Sequence, residues 1–271
     1  MASSASSHPY FRGLRAPLHI SHRGGAALAP ENTLPAFEAA VTRYRTDVLE
    51  LDVQRTGDGV WVVFHDPTLE RCTNGNGRVR DHAFGDLRRL DAGHHFTKDG
   101  GLTFPSRGKG VVIPTLGEVL SAFPSVRLNI DVKHALPNEL EGFRDLLREA
   151  QATERTCVGS MDDDLAAALH QTLPEAVHFF PRDAAAAFVM AVRGGEPPQS
   201  DPRFSVLELP YEWSGLPLVD AALVAAAARA GVWLNVWTVN DETTMRALRD
   251  IRVGGIMTDR PDLLRQVLDA D

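Results

Sequence analysis

Two carboxylates and two imidazoles stand where their chemistry can be combined. In residues 49–66, LELDVQRTGDGVWVVFHD, Glu50 and Asp52 lie two apart in an apolar run. In a strand both carboxylates face the same side. A same-face acidic pair inside an apolar strand is costly unless something neutralises it. A hard cation such as Mg²⁺ or Ca²⁺ takes oxygen ligands of this kind, and Asp131 in Asn129-Ile130-Asp131-Val132-Lys133 supplies a third. The alternative neutraliser is a nearby base such as Lys133. His22 follows the short apolar run Leu18–Ser21, and His65 follows Val60–Phe64. Imidazole titrates near neutrality, so the two suit a general acid and a general base. Taken singly, each is equally a structural histidine bonded in a turn. Arg23 and Lys133 bring positive charge, either to phosphate oxygens or to the carboxylates themselves. A cation with Arg and Lys is the usual means of stabilising charge on a reacting phosphoryl group. Trp237 ends an otherwise aliphatic strand, where it serves as core or as the wall of a substrate pocket.

The elements that must position these groups follow from pattern. Between the two halves of 49–66 lies Thr56-Gly57-Asp58-Gly59. So few linking residues cannot make a parallel crossover, so the flanking strands form an antiparallel hairpin. Folding back there brings His65 toward Asp52. Elsewhere strands alternate with helices. Phe37, Ala40, Val41 and Tyr44 make the core stripe of a first helix, with Asn32 or Thr33 as its N-cap. Strands centred near residues 20, 50, 130, 158, 178, 207, 236 and 257 make eight β/α units. That count predicts a (β/α)₈ TIM barrel, with the strand ending at His65 as a hairpin extra. His22-Arg23-Gly24-Gly25-Ala26 is not GxGxxG, which argues against a dinucleotide-binding open sheet. Residues 67–114 are rich in Gly, Arg, Asp and His with weak periodicity, and read as a small insertion over one face. Residues 1–17 read as a flexible arm, and 195–202 as a Pro-rich connection. In a barrel, active-site groups belong at the carboxyl ends of strands, and the strand ends here carry His22 and Arg23, Glu50 and Asp52, Asp131 and Lys133, and Trp237 and Asn240.

Composition sets the outer bounds. The chain has 271 residues, 44% hydrophobic and 24% charged, enough for one large domain with a real core. A formal net charge of −8 argues against nucleic acid as a partner. It leaves room for a phosphorylated small molecule in a local basic pocket. Cys72 and Cys157 lie far apart with no metal-type spacing, as expected of unpaired thiols in a reducing compartment. No run has the length of a membrane span, and the expected location is the cytoplasm.

These blocks, taken in order, resemble the glycerophosphodiester phosphodiesterases. The resemblance rests on His22-Arg23-Gly24 with Pro30-Glu31-Asn32-Thr33, Glu50-Leu51-Asp52-Val53 and Val63-Phe64-His65-Asp66. It continues through Ile113-Pro114-Thr115-Leu116, Asn129-Ile130-Asp131-Val132-Lys133, Trp237-Thr238-Val239-Asn240 and Thr258-Asp259-Arg260-Pro261. It implies a TIM barrel, an insertion after the His65-Asp66 block, and metal-dependent hydrolysis of glycerophosphodiesters to glycerol 3-phosphate and an alcohol. By the same resemblance His22 and His65 are the acid/base pair, and Glu50, Asp52 and Asp131 hold a divalent Mg²⁺ or Ca²⁺. Arg23 and Lys133 meet phosphate. The one departure is Asp131, where the family commonly has Glu. In such enzymes the substrate's glycerol hydroxyl attacks phosphorus, and water opens the cyclic phosphate. Rival readings are a lysophospholipase D acting on lysolipids, an inactive phosphodiester-binding homologue and a metal-independent acid/base hydrolase. The polar character of 67–114 favours water-soluble head-group diesters.

Overall fold

The computed structural model describes residues 8–198 and 201–270. Its strands are β1 (Leu18–Ser21), β2 (Val48–Arg55), β3 (Trp61–Val63), β4 (Arg127–Val132), β5 (Thr156–Gly159), β6 (Val177–His178), β7 (Val206–Pro210), β8 (Glu212–Trp213), β9 (Leu216–Pro217), β10 (Trp233–Trp237) and β11 (Gly255–Thr258). The helices are α1 (Leu34–Thr42), α2 (Phe84–Leu87), α3 (Leu116–Ala122), α4 (Leu140–Glu149), α5 (Asp163–Thr172), α6 (Arg182–Arg193), α7 (Ala221–Ala230), α8 (Glu242–Asp250) and α9 (Pro261–Asp269). Parallel pairing runs β6–β5–β4–β2–β1–β11–β10–β7, and a bridge from Phe179 to Val206 brings the two ends together. The ring is the expected (β/α)₈ barrel. β3 stands outside it, antiparallel to β2 with Val53 opposite Val63 and Arg55 opposite Trp61.

Strand alternation decides what enters the barrel. Leu49, Leu51 and Val53 of β2 pack outward with Leu128, Ile130 and Val132 of β4 against Phe37 of α1 and Phe143 of α4. Their neighbours Glu50, Asp52, Asn129 and Asp131 therefore point to the interior. On the opposite side Leu207, Leu209, Leu234 and Val236 face Leu223, Met245 and Leu248. That turns Glu208 and Asn235 inward. Truncating a fully buried aromatic such as Phe37 to Ala costs about 3–5 kcal/mol.

The amino-terminal segment differs from expectation. Of the arm expected over 1–17, residues 1–7 lie outside the described residues, but 8–17 are held against the barrel through Tyr10, with Arg12, Gly13, Arg15 and Ala16 exposed. Tyr10 is buried among Cys157, Val177, Phe179 and Val206, and Arg127 donates to the Tyr10 and Arg12 carbonyls at 2.7 and 2.6 Å. The aromatic pair Tyr10-Phe11 closes the amino-terminal end of the barrel, which a count of charge and apolar runs does not register. The loop after β7 carries the hairpin β8–β9, which exposes Trp213 and Leu216. Residues 199–200 of the Pro-rich connection lie outside the described residues.

Residues 67–114 hold one 3₁₀ turn, Val79–Asp81, and the single-turn α2. Leu69, Val79, Leu87, Ala92 and Ile113 form a separate apolar cluster with Val62 and Phe64. Arg88 clamps Glu118 of α3 with two bonds of 2.7 and 2.8 Å. Glu118 also closes a capping box with Thr115, so one side chain starts α3 and ties the segment to the barrel. Among the described residues no helix is long and apolar enough to cross a membrane.

Two histidines outside the barrel mouth are fully packed. His19 donates or accepts at Thr46 Oγ1 (3.2 Å) and at the Pro261 carbonyl (2.8 Å), and His178 reaches the Leu173 carbonyl at 2.9 Å. Burial lowers each to about 4. Each is thus neutral when folded and takes up a proton on unfolding below its ordinary value near 6.5. Their contribution is present above that value and is lost as pH falls toward 4, by up to about 1.4 kcal/mol per pH unit for each. The melting temperature should fall between pH 6.5 and 4.5, and less steeply in a folded His19→Gln/His178→Gln variant. Equal slopes in the two proteins would remove these histidines from the acid response.

Candidate active site

The mouth of the barrel is built by the turn after β1. His22, Arg23 and Gly24 form a 3₁₀ turn in which Arg23 takes φ 50° and Gly24 φ 82°. A Cβ on Gly24 would lie 2.9 Å from Ala36 Cβ and 3.0 Å from the Phe37 ring, so only glycine lets the turn rest on α1. The turn aims the Arg23 amide at Glu50 Oε2 (2.8 Å), with Arg23 Nε 3.2 Å from Asp52 Oδ2 and Nη1 2.9 Å from Glu31. Asn32, also left-handed at φ 58°, donates to Asp52 Oδ2 at 2.9 Å. Thr33, not Asn32, occupies the N-cap of α1, and its hydroxyl bonds the Pro30 carbonyl instead of capping.

Parallel pairing puts Asp131 of β4 directly beside Asp52 of β2. Lys133, just past β4, lies 3.3 Å from Asp52 Oδ1 and 2.5 Å from Asp131 Oδ2. The charge balance is uneven. Asp52 is buried, which raises its pKa, but Arg23, Lys133 and Asn32 overcome this and hold it below the ordinary value. Glu50 is pushed well above, first by burial and then by Asp52. Asp131 is pushed up by burial and by Asp52 despite Lys133. Burial, with three carboxyl groups facing two cations, thus holds Glu50 and Asp131 toward their protonated forms.

Both histidines expected to act on protons have the same environment at Nδ1. His22 Nδ1 lies 2.6 Å from Asp259 Oδ1, and His65 Nδ1 lies 2.6 Å from Asp66 Oδ1. A carboxylate only accepts, so each Nδ1 carries the hydrogen and Nε2 is left for exchange. His22 Nε2 is 4.0 Å from Glu50 Oε2. Burial would lower the His22 pKa, but Glu50 and Asp259 together raise it. Asp259 is itself held by Asn240 Nδ2 at 2.8 Å. His65 follows β3, whose pairing continues through the Phe64 amide to the Asp52 carbonyl at 2.9 Å. Its charge contributes to the lowering of Asp52. Trp237, at the end of β10, packs against the interior cluster of Leu18, Ile20, Val48 and Met257.

Below this level a polar floor crosses the barrel. Glu208 of β7 accepts from Asn129 Nδ2 (2.5 Å) and Asn235 Nδ2 (3.0 Å), and burial raises it to about 7. No role was assigned to Glu208 from the sequence. The signal was the same one that marked Glu50, a charged residue inside an apolar strand. Asp259 and Glu31 also went unassigned, because each acts through a neighbour that only the fold brings near, and Asp66 because its bond to the adjacent His65 depends on how the two side chains turn.

The donor set suits a hard divalent cation. Glu50, Asp52 and Asp131 offer carboxyl oxygens only, Asp131 Oδ1 is buried without a partner, and three carboxyl groups face two fixed cations, Arg23 and Lys133. The present arrangement is not a finished cage. Lys133 lies between Asp52 and Asp131, and among the described residues no three acidic, histidine or cysteine side chains converge on one point. A cleft of about 430 Å³ opens beside Asp131 and Lys133, lined also by Ser160 and Arg182.

Comparison with known proteins fits this geometry. A glycerophosphodiester phosphodiesterase of Caldanaerobacter subterraneus subsp. tengcongensis is 31% identical over 253 residues, spanning 91% of this chain and 96% of that protein. The mouse protein named lysophospholipase D GDPD1 is 28% identical over 275 residues, spanning 92% and 85%. Among solved structures, the glycerophosphoryl diester phosphodiesterase domain of Rv2277c from Mycobacterium tuberculosis superimposes with a TM-score of 0.83 at 24% identity, covering 95% of this chain and all of that one. An Oleispira antarctica phosphodiesterase in complex with sn-glycerol-3-phosphate gives 0.74 at 24% identity, covering 94% and 97%. These likenesses show the same fold. The model of the glycerophosphoryl diester phosphodiesterase family matches residues 22–263, from the first histidine of the mouth into the last helix, and the chain belongs to that family.

Proposed function

We propose that this protein hydrolyses glycerophosphodiesters, such as glycerophosphocholine or glycerophosphoethanolamine, to sn-glycerol 3-phosphate and an alcohol. The observation that carries the reading is the pair of histidines, each with Nδ1 bound to a carboxylate, at a mouth that also holds Arg23 and Lys133. In the proposed reaction one Nε2 takes the proton of the substrate's glycerol hydroxyl as its oxygen bonds to phosphorus. The other gives a proton to the departing alkoxide as its bond to phosphorus breaks. Water then opens the cyclic phosphate, with the two imidazoles exchanging roles. Asp259 and Asp66 hold the tautomers that this requires. Arg23 and Lys133 bind the anionic oxygens of the diester, and Trp237 walls the pocket. Glu50, Asp52 and Asp131 are the residues that would hold Mg²⁺ or Ca²⁺, which supplies further positive charge to the phosphoryl group when bound. A lysophospholipase D activity is the second reading, favoured by the mouse relative and by Trp213 and Leu216 exposed on the loop after β7.

A panel of glycerophosphodiesters and lysolipids, assayed with several divalent cations, tests the substrate class. Release of glycerol 3-phosphate from head-group diesters is expected, and turnover of lysolipids alone would replace the first reading by the second. His22→Ala and His65→Ala should each lower kcat by about 10²–10⁴-fold with the fold intact by circular dichroism. Near-wild-type turnover in either folded variant would remove that histidine from the reaction. EDTA should abolish activity, with recovery on adding Mg²⁺ or Ca²⁺. The cation should also raise the melting temperature of wild type but not of Asp131→Asn. Full activity after metal removal would overturn the carboxylate assignment.

A further inference from the structure

The two ends of the site are joined by a side chain that the proposed reaction does not use. Arg71 lies just inside the 67–114 segment, with its guanidinium between two carboxylates. Its Nε and Nη2 donate to Asp66 Oδ2 and Oδ1 at 2.5 and 2.9 Å. Its Nη1 and Nη2 donate to Glu31 Oε2 and Oε1, both at 2.7 Å. Asp66 Oδ1 is the atom that holds His65 Nδ1, and Glu31 Oε1 is the atom that holds Arg23 Nη1. An unbroken chain therefore runs His65–Asp66–Arg71–Glu31–Arg23. From this juxtaposition we infer that Arg71 is a positioning residue that sets the orientation of His65 and of Arg23 together.

Stability does not account for this arrangement. The Arg71 side chain is 48% exposed, and exposed ion pairs add little to folding. The segment around it has its own apolar cluster and the separate Arg88–Glu118 clamp. What Arg71 supplies is geometry. Its planar fork meets both carboxylates bidentately, which a lysine's point charge cannot do. The Asp66 backbone is already fixed, since Gln54 Nε2 donates to its carbonyl at 2.7 Å. Only the Asp66 carboxylate is left to rotate, and Arg71 is what stops it. On the other side, Glu31 without Arg71 would have Arg23 as its one charged partner. It would then compete more strongly with Asp52 for that guanidinium.

The inference rests on the reading that His65 and Arg23 take part in turnover, and its test keeps the two apart. Arg71→Met and Arg71→Lys are compared with wild type by steady-state kinetics, thermal melting and ¹⁵N NMR of the histidine rings. Arg71→Met should lose about 30-fold in kcat, comparable to the roughly 10–100-fold lost when an outer partner that orients a metal-ligating side chain is removed. Its melting temperature should stay within a few degrees of wild type. The His65 ring nitrogens should move toward the values of a mixed tautomer, and Arg71→Lys should recover only part of both effects. Adding Asp66→Asn to Arg71→Met should cost little more than the larger single change, because both break one chain. A kcat within about threefold of wild type in Arg71→Met, or unchanged His65 ring signals in both variants, would overturn the inference. If wild type turns over no phosphodiester, the functional reading fails on its own. The ring signals then decide the Arg71 connection without it.

Discussion

Everything at the barrel mouth depends on keeping Asp52 ionised where water barely reaches it. Its side chain is 2% exposed. A carboxylate in that position is stable only if fixed charges and donors replace its hydration, and leaving such a charge uncompensated costs about 3–5 kcal/mol. Three separate parts of the chain supply the compensation: Arg23 after β1, Asn32 before α1 and Lys133 after β4. Two of the three residues adopt left-handed backbone conformations, which non-glycine residues enter at a cost. The turn after β1 is shaped by that demand, and His22 is placed by the same turn.

The compensation is deliberately incomplete in its effect. Glu50 and Asp131 remain raised, so they give up their protons less readily than ordinary carboxylic acids, and a further positive charge would be needed to ionise both beside Asp52. A site of this kind favours cations and at the same time presents two basic side chains to an anion. An oxygen-only donor set beside Arg and Lys is a combination suited to phosphoryl chemistry. Glu50 and Asp259 also reach His22 and keep it more basic than a buried imidazole would otherwise be.

The histidines show how a fold repeats one solution with different parts. His22 is oriented by Asp259, which comes from the far end of the chain after β11. His65 is oriented by its own neighbour Asp66, which in turn leans on the segment above the barrel. One imidazole is thus anchored to the barrel and the other to its roof. That division gives residues 67–114 a physical connection to the site that their weak periodicity did not suggest.

The barrel itself was legible because eight apolar strands alternating with amphipathic helices leave few other ways to bury both patterns. Glu50, Asp52, Asp131 and Lys133 stood out because charge inside an apolar strand has an energetic cost that local sequence displays. Glu208 carried the same signal but had no partner within its own strand, since its partners Asn129 and Asn235 come from elsewhere in the ring. The packed arm around Tyr10 was missed because closing a barrel end needs only two aromatic residues and a few carbonyls. Composition and spacing thus determined the element order, the facing of each strand and which charges needed explanation. Only the tertiary structure decided how those charges pair, that Asp131 stands beside Asp52, and that Asp259, Asp66, Glu31 and Arg71 complete the site. The reason is physical: burial cost is a property of a residue in its own element, whereas its compensation is a distance between elements that closing the barrel alone sets.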